Sequence, residues 1–263
     1  MNWIASLPMY NVTPALASHW RALLADTLRV AAPGARIEAR DDDLYALWRD
    51  DRLLLSQTCG YPLMHSLADT VQVVATPHFD APGCDGLHYR SLLVVRADAP
   101  YRSLEACRGA RAAFNQDDSN SGMNLFRHAV APLARGGRFF RKVLETGSHL
   151  GSLQALGERR ADVAAIDCVT FAFVQDSLPA LAATVRSIGW TAPAPGLPLV
   201  AARTAPAALL ERLRGALDIA LQADPNRARL LRLKGFSVPA ANAYDRIVTL
   251  AREAEAAGYP HLA

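Results

Sequence analysis

Lysine is nearly missing from this chain of 263 residues: Lys142 and Lys234 are the only two, and arginine supplies the rest of the basic side chains. The net charge is only +3, and no dense basic block occurs. Both features argue against a polybasic protein that binds nucleic acid or membrane surfaces. Aromatic residues make up 7% of the chain, too few for a broad base-stacking platform. No window approaches the roughly 20 apolar residues of a spanning helix, so stable membrane insertion is not expected. Met1 to Tyr10 carries no leading cation, and Pro8 interrupts its apolar run, so no leader is legible. As written the chain reads as cytoplasmic, or as periplasmic if a leader stands upstream. The four cysteines (Cys59, Cys84, Cys107 and Cys168) form no CxxC pair. That spacing suits a reduced compartment without forbidding a disulfide. There is no Walker loop, no GxGxxG after a strand, no HExxH and no GxSxG, and no cofactor is expected.

What is present is enough apolar residue for a packed core, 51% of the chain, in a pattern of alternating short strands and helices. Strands are expected at 2–7, 35–39, 53–57, 71–75, 91–95, 111–115, 139–145, 162–166 and 199–202. Thr13-Pro14 opens a helix whose Leu16, Trp20, Leu24 and Leu28 share one face. Asp41-Asp42-Asp43 forms an acidic start for a second, and further helices are expected from Pro62, over 121–130, 149–157 and 169–176, with three more at the C-terminus. The runs 76–87 and 191–198 are rich in turn residues and interrupt the alternation. The pattern predicts an α/β protein of two lobes, each a mostly parallel sheet flanked by helices. Residues 1–95 plus 199–263 would form a discontinuous first lobe and 96–198 the second. Two chain crossings would act as a hinge that closes on a ligand. A single continuous doubly wound sheet is the plainer alternative.

In open parallel sheets ligands bind beyond the carboxyl ends of strands, and in the second lobe those positions are unusually polar. The first strand there is followed by Ser119-Asn120-Ser121-Gly122 at a helix start, where hydroxyls, unpaired amides and the helix dipole together suit a tetrahedral anion. A serine cap alone is ordinary helix architecture. The next strand ends in Thr146-Gly147-Ser148-His149, which sets an imidazole at a first helical position, and the third delivers Asp167. A carboxylate after an apolar strand needs a partner, either a ligand cation or a nearby donor. In the first lobe Tyr10 and Tyr61 offer apolar walls with hydroxyl tips, and Cys59 lies near a helix start. The cluster His78, Asp80, Cys84, Asp85 and His88 has zinc-ligand types but reads as consecutive turns, so no metal site is expected.

The run Phe114 to Gly122, then Phe139-Phe140, Thr146-Gly147-Ser148-His149 and Ala161 to Asp167, resembles the substrate-binding proteins of phosphate, phosphite and phosphonate ABC transporters. These are type 2 periplasmic binding proteins, with two lobes and a hinged cleft. The resemblance implies that Ser119, Asn120, Ser121 and Gly122 hold the phosphonate oxygens with His149 alongside. It further implies that Asp167 meets the amino end of aminoalkyl ligands, that Tyr10 and Tyr61 are aromatic residues of the first lobe, and that an ABC permease is the partner. Asn120 stands where a hydroxyl residue is common, and the Thr58 to Tyr61 loop departs from the family pattern. The expected function is therefore that of a binding protein for a small oxyanion, with no catalytic residue. The alternatives are an enzyme on the same scaffold, using Cys59 as nucleophile with His149 and Asp167 in thiamine-related chemistry, and a cytoplasmic ligand sensor.

Overall fold

A computed structural model describes residues 2–38 and 43–263; Ala39, Asp41 and Asp42, expected in the second strand and at the second helix start, lie outside them. In chain order the elements are β1 (Ile4–Ser6), α1 (Pro14–Ala31), β2 (Arg36–Ile37), α2 (Leu44–Trp48), β3 (Leu53–Gln57), α3 (Gly60–His65) and β4 (Val71–Phe79). Then follow β5 (His88–Tyr89), β6 (Ser91–Arg96), β7 (Arg111–Phe114), a π-helical turn (Asn120–Asn124) running into α4 (Leu125–Val130), β8 (Lys142–Glu145) and α5 (His149–Gly157). The chain continues with β9 (Val163–Asp167), α6 (Cys168–Ser177), α7 (Pro179–Ala182), β10 (Val185–Trp190) and β11 (Ala194–Pro195). It ends with β12 (Leu199–Ala202), α8 (Ala207–Ala223), α9 (Pro225–Leu230), β13 (Leu233–Ser237) and α10 (Asp245–Ala256). No described helix is long and apolar enough to cross a membrane.

Contacts divide the chain into a first unit, 1–80, 85–87 and 196–243, and a second, 81–84, 88–195 and 244–263. Each holds one sheet. The first has the order β13-β4-β12-β3-β1-β2 and the second β10-β6-β9-β7-β8. In the first, β1 runs parallel to β2 and β3, while β12 lies antiparallel between β3 and β4. In the second, β7 runs parallel to β8 and β9, while β6 lies antiparallel between β9 and β10. Each inserted strand follows closely on a crossing of the chain from the other unit, which explains its reversed direction in an otherwise mostly parallel sheet.

Local chemistry sets most boundaries. Leu16 N donates to Thr13 Oγ1 at 3.3 Å and Pro14 opens α1, whose Leu16, Trp20, Leu24 and Leu28 are buried as the spacing requires. The strand reading fails where tertiary partners decide. The residue pattern predicts turn at Thr76–Phe79, yet β4 continues through Pro77 because β13 pairs along it, a strand in a stretch where the pattern predicts helix. Residues 139–141 are not strand: the amides of Phe139 and Phe140 donate to the main-chain oxygen of Ala263, and both rings enter the second core. The unit boundaries shift for the same reason. Residues 88–95 and 244–263, expected in the first lobe, belong to the second, since β6 pairs with β9 and β10 and α10 packs on α4.

Asp162 ties the second sheet at its amino-terminal edge. Arg111 donates to it three times, from Nε and Nη2 at 2.9 Å and from its main-chain N at 3.0 Å, and Arg96 bonds it as well. The Arg111 bond is the chief cause that holds this carboxyl down to about 2, against the opposing effect of burial. Its contribution is present above the ordinary carboxylate range and is lost as pH falls towards the folded value. Asp162→Asn is expected to lower the unfolding free energy at pH 7 by about 2–3 kcal/mol. Urea titration at pH 7 and at low pH checks this: the gap to the unmutated chain should narrow on acidification.

Candidate functional site

The register of β7 sets the geometry. Phe114 pairs with Glu145 of β8, so β7 and β8 end level, and Ala113 pairs with Ala164 of β9, which runs about two residues further in the same direction. Each then feeds a helix, so the π turn, α5 and α6 all begin at the carboxyl edge, where open sheets present ligand sites.

Ser119 caps the first of these helices, its Oγ accepting from Gly122 N at 3.0 Å. The opening amides precede the first intrahelical acceptor, so this end carries donors and a partial positive charge. Ser121 is buried, with its Oγ 2.8 Å from His149 Nε2 and 3.5 Å from Ser119 Oγ. His149 is brought there by the loop before α5. Thr146 N and Oγ1 both donate to Phe114 O, and Gly147 N donates to Asn115 O at 2.8 Å. Gly147 has φ +79°, a left-handed conformation that a side chain would strain. Ser148 then caps α5 by accepting from Gly151 N.

Gly122 lies at the centre. A Cβ there would overlap the Asn115 side-chain amide and come within 3.1 Å of His149 Cε1. Asn115 Oδ1 and His149 Nδ1 are both buried, and neither has a hydrogen-bond partner among the described residues. Such atoms cost about 1–3 kcal/mol each when left unpaired. Burial also depresses the His149 pKa to about 4, so the imidazole is neutral at pH 7. The set can therefore supply amides, hydroxyls and a neutral ring to one small polar guest.

Two expected residues also hold the framework together. Asn120 is fully buried, and its Nδ2 donates to the Tyr89 hydroxyl at 3.0 Å while its Oδ1 accepts from Asn124 Nδ2 at 3.0 Å. Its side chain holds the π turn in place, which accounts for an amide where a hydroxyl was expected. Asp167 is also buried, and its Oδ1 accepts from Val169 N at 2.8 Å and Thr170 N at 2.9 Å. The nearby donors that this carboxylate needs are thus the amides opening α6, and no ligand cation is required to hold it. In the first unit Tyr10 is buried edge-on to Phe79, with ring centroids 5.2 Å apart, and Tyr61 packs on His65 at 4.1 Å. Cys59 precedes α3 and makes no side-chain cap to it. Sequence reasoning overlooked Asn115 as a site residue, although it stands directly after a strand, where the other candidates were found.

A family model described as the phosphonate ABC transporter periplasmic substrate-binding protein matches residues 50–244. The chain belongs to that family. Members are substrate-binding components rather than enzymes, and they imply a small ligand and a permease partner. The Cys59 nucleophile is thereby set aside. No curated protein matches this family member in sequence. Its fold is similar to the binding protein component PA3383 of an ABC phosphonate transporter from Pseudomonas aeruginosa, at 18% identity and TM-score 0.78, covering 97% of this chain and 87% of that one. It is also similar to PhnD1 from Prochlorococcus marinus, solved in complex with methylphosphonate, at 14% identity and TM-score 0.76, covering 97% and 98%. XAC2383 from Xanthomonas citri, solved bound to ATP, aligns at 20% identity and TM-score 0.68, again covering 97% and 98%. Likenesses at these identities show the type 2 periplasmic binding protein fold and no more.

The depressed His149 pKa gives a pH prediction with a definite sign. The unfolded imidazole titrates near 6.5 and the folded one near 4, so the unfolded chain takes up the proton first on acidification. The family member should lose stability between those values, on the order of 2–3 kcal/mol by pH ~4.5. Urea unfolding of the unmutated chain and His149→Gln at pH 7 and ~4.5 isolates this group. Equal losses in both would assign the acid sensitivity elsewhere.

Proposed function

We propose that this protein binds a small tetrahedral oxyanion of the phosphonate, phosphite or phosphate type and presents it to an ABC permease. The anion sits on the helix start Ser119 to Gly122, held by opening amides and by the Ser119 and Ser121 hydroxyls, with His149 alongside. The observation that carries this reading is the 2.8 Å contact between Ser121 Oγ and His149 Nε2 beside the side-chain-free Gly122. It joins a hydroxyl and a neutral ring to the amino-terminal end of a helix dipole, where Ser119 caps Gly122 N. The buried Asn115 Oδ1 and His149 Nδ1 support the same reading, because a guest that pairs with them relieves their desolvation cost. Asn115 Oδ1 only accepts, so a guest keeping one protonated oxygen satisfies it while its other oxygens take the donors. Tyr10, Cys59 and Tyr61 belong to the other unit, and no part of the proposal rests on them. Each hydrogen bond to the charged group contributes about 1.5–3 kcal/mol, so hydroxyls, opening amides and the imidazole must act together to reach micromolar affinity after the ordering cost.

Titration calorimetry with methylphosphonate, phosphite and phosphate tests the proposal. Binding of at least one with a micromolar Kd is expected, and Ser121→Ala should weaken it roughly tenfold, equal to about 1.4 kcal/mol. Absence of heat from all three, with the protein folded, overturns the reading.

A further inference from the structure

The second unit also holds a pair of thiols that the candidate site does not use. The excursion 81–84 packs with this unit, while the chain on either side of it belongs to the first. A Cβ on Gly83 would crowd the Trp190 ring and stand 3.2 Å from Cys168 Cβ, so the excursion runs in direct contact with the start of α6. There Cys84 Sγ and Cys168 Sγ lie 3.5 Å apart, although 84 residues separate them in sequence. Cys168 is held in place, since its amide donates to Arg90 O and it opens the helix that Asp167 caps. A cavity of about 300 Å³, lined by Pro82, Cys168, Phe171, Gln175 and Trp190 among others, borders the same residue.

We propose that Cys84 and Cys168 form an intramolecular disulfide by exchange with a small disulfide oxidant, stapling the 81–84 excursion to the start of α6. The sulfurs need to close by about 1.5 Å to reach bonding distance. The Cys168 thiol is held protonated by its bond to Cys84, by burial and by the nearby Asp167 charge, so the half-buried Cys84 attacks first. Its thiolate forms a mixed disulfide and expels one oxidant thiolate, which takes up the proton Cys84 gave up. Cys168 then loses its proton and attacks the Cys84 sulfur, expelling the second half of the oxidant as a thiol. Two protein thiols are oxidised to one disulfide, and one oxidant disulfide is reduced to two thiols. Cys107 takes no part: it is buried, its Sγ donates to Ser103 O, and burial raises its thiol to about 12.

The test incubates the folded chain with oxidised glutathione, then alkylates the remaining thiols in denaturant and maps peptides without reduction. The peptides bearing Cys84 and Cys168 should be joined, with Cys59 and Cys107 alkylated. The linked form should melt several degrees above the reduced form, an advantage that dithiothreitol removes. Cys84→Ser should abolish both the link and the reversible shift. A persistent glutathione adduct on Cys84, two thiols that stay alkylatable, a link to another cysteine, or a linked form that melts lower would each overturn the proposal. Ligand binding is not part of the readout, so failure here leaves the oxyanion reading standing.

Discussion

The missing side chain at Gly122 fixes the spacing of everything around it. Asn115 comes from the end of β7, His149 from the start of α5 and Ser121 from the π turn, and all three meet at one Cα. Any methyl group there would overlap the Asn115 side-chain amide and press on the His149 imidazole. Glycine is usually discussed for its backbone freedom, but here its φ is ordinary, and the requirement is for room. The π-helical turn serves the same end. An extra residue per turn widens the helix start, and such turns occur often at functional sites.

The proposed recognition by neutral groups has an electrostatic consequence. A cation buried to receive an anion must itself lose water, a cost that can exceed the Coulombic gain. Hydroxyls, amides and an imidazole depressed to about 4 avoid that cost and rely on directed hydrogen bonds. In the proposed complex, direction makes the arrangement selective for shape and protonation state, because a guest that leaves Asn115 Oδ1 or His149 Nδ1 unpaired forfeits what its other oxygens gain. The two unpaired atoms are local violations of polar satisfaction, of the kind that folded proteins tolerate at working sites.

Much of this was legible in the residues, and the rest was not for physical reasons. Thr13-Pro14, Ser119, Ser148 and the burial stripe of α1 are written in local chemistry, and the structure holds them where the spacing puts them. Ser121 and His149 were legible as strand-end residues, although their contact depends on the parallel register of β7 and β8. What escaped is what a distant partner decides. Pro77 looks like a strand breaker, yet β13 pairs across it from more than 150 residues away. Asn120 and Asp167 stand at the expected ligand edge, and the internal hydrogen bonds that their side chains also make are not revealed by residue type alone. The boundary of the second unit was hidden likewise, because α10 is amphipathic wherever it packs.

The placement of the last twenty residues shows how far the candidate site's support extends. From Tyr89 OH a buried polar ladder runs through Asn120 to Asn124, whose Nδ2 also donates to Ile247 O at 3.1 Å. Asn124 Oδ1 accepts from Arg127 at 3.2 Å, and Arg127 in turn donates to Pro260 O. Beyond it Tyr259 and Ala263 bond each other, and Ala263 accepts the amides of Phe139 and Phe140. Asn120, Asn124 and Arg127 are buried, so each rung would be costly without its neighbour. An apolar core could hold α4 equally firmly, but it would leave the rotation of the π turn less specified. Paired amides fix that rotation, because a slip of one residue would strand a buried donor. The ladder thus supplies what a site built from hydrogen bonds needs, a helix start whose donors keep one direction.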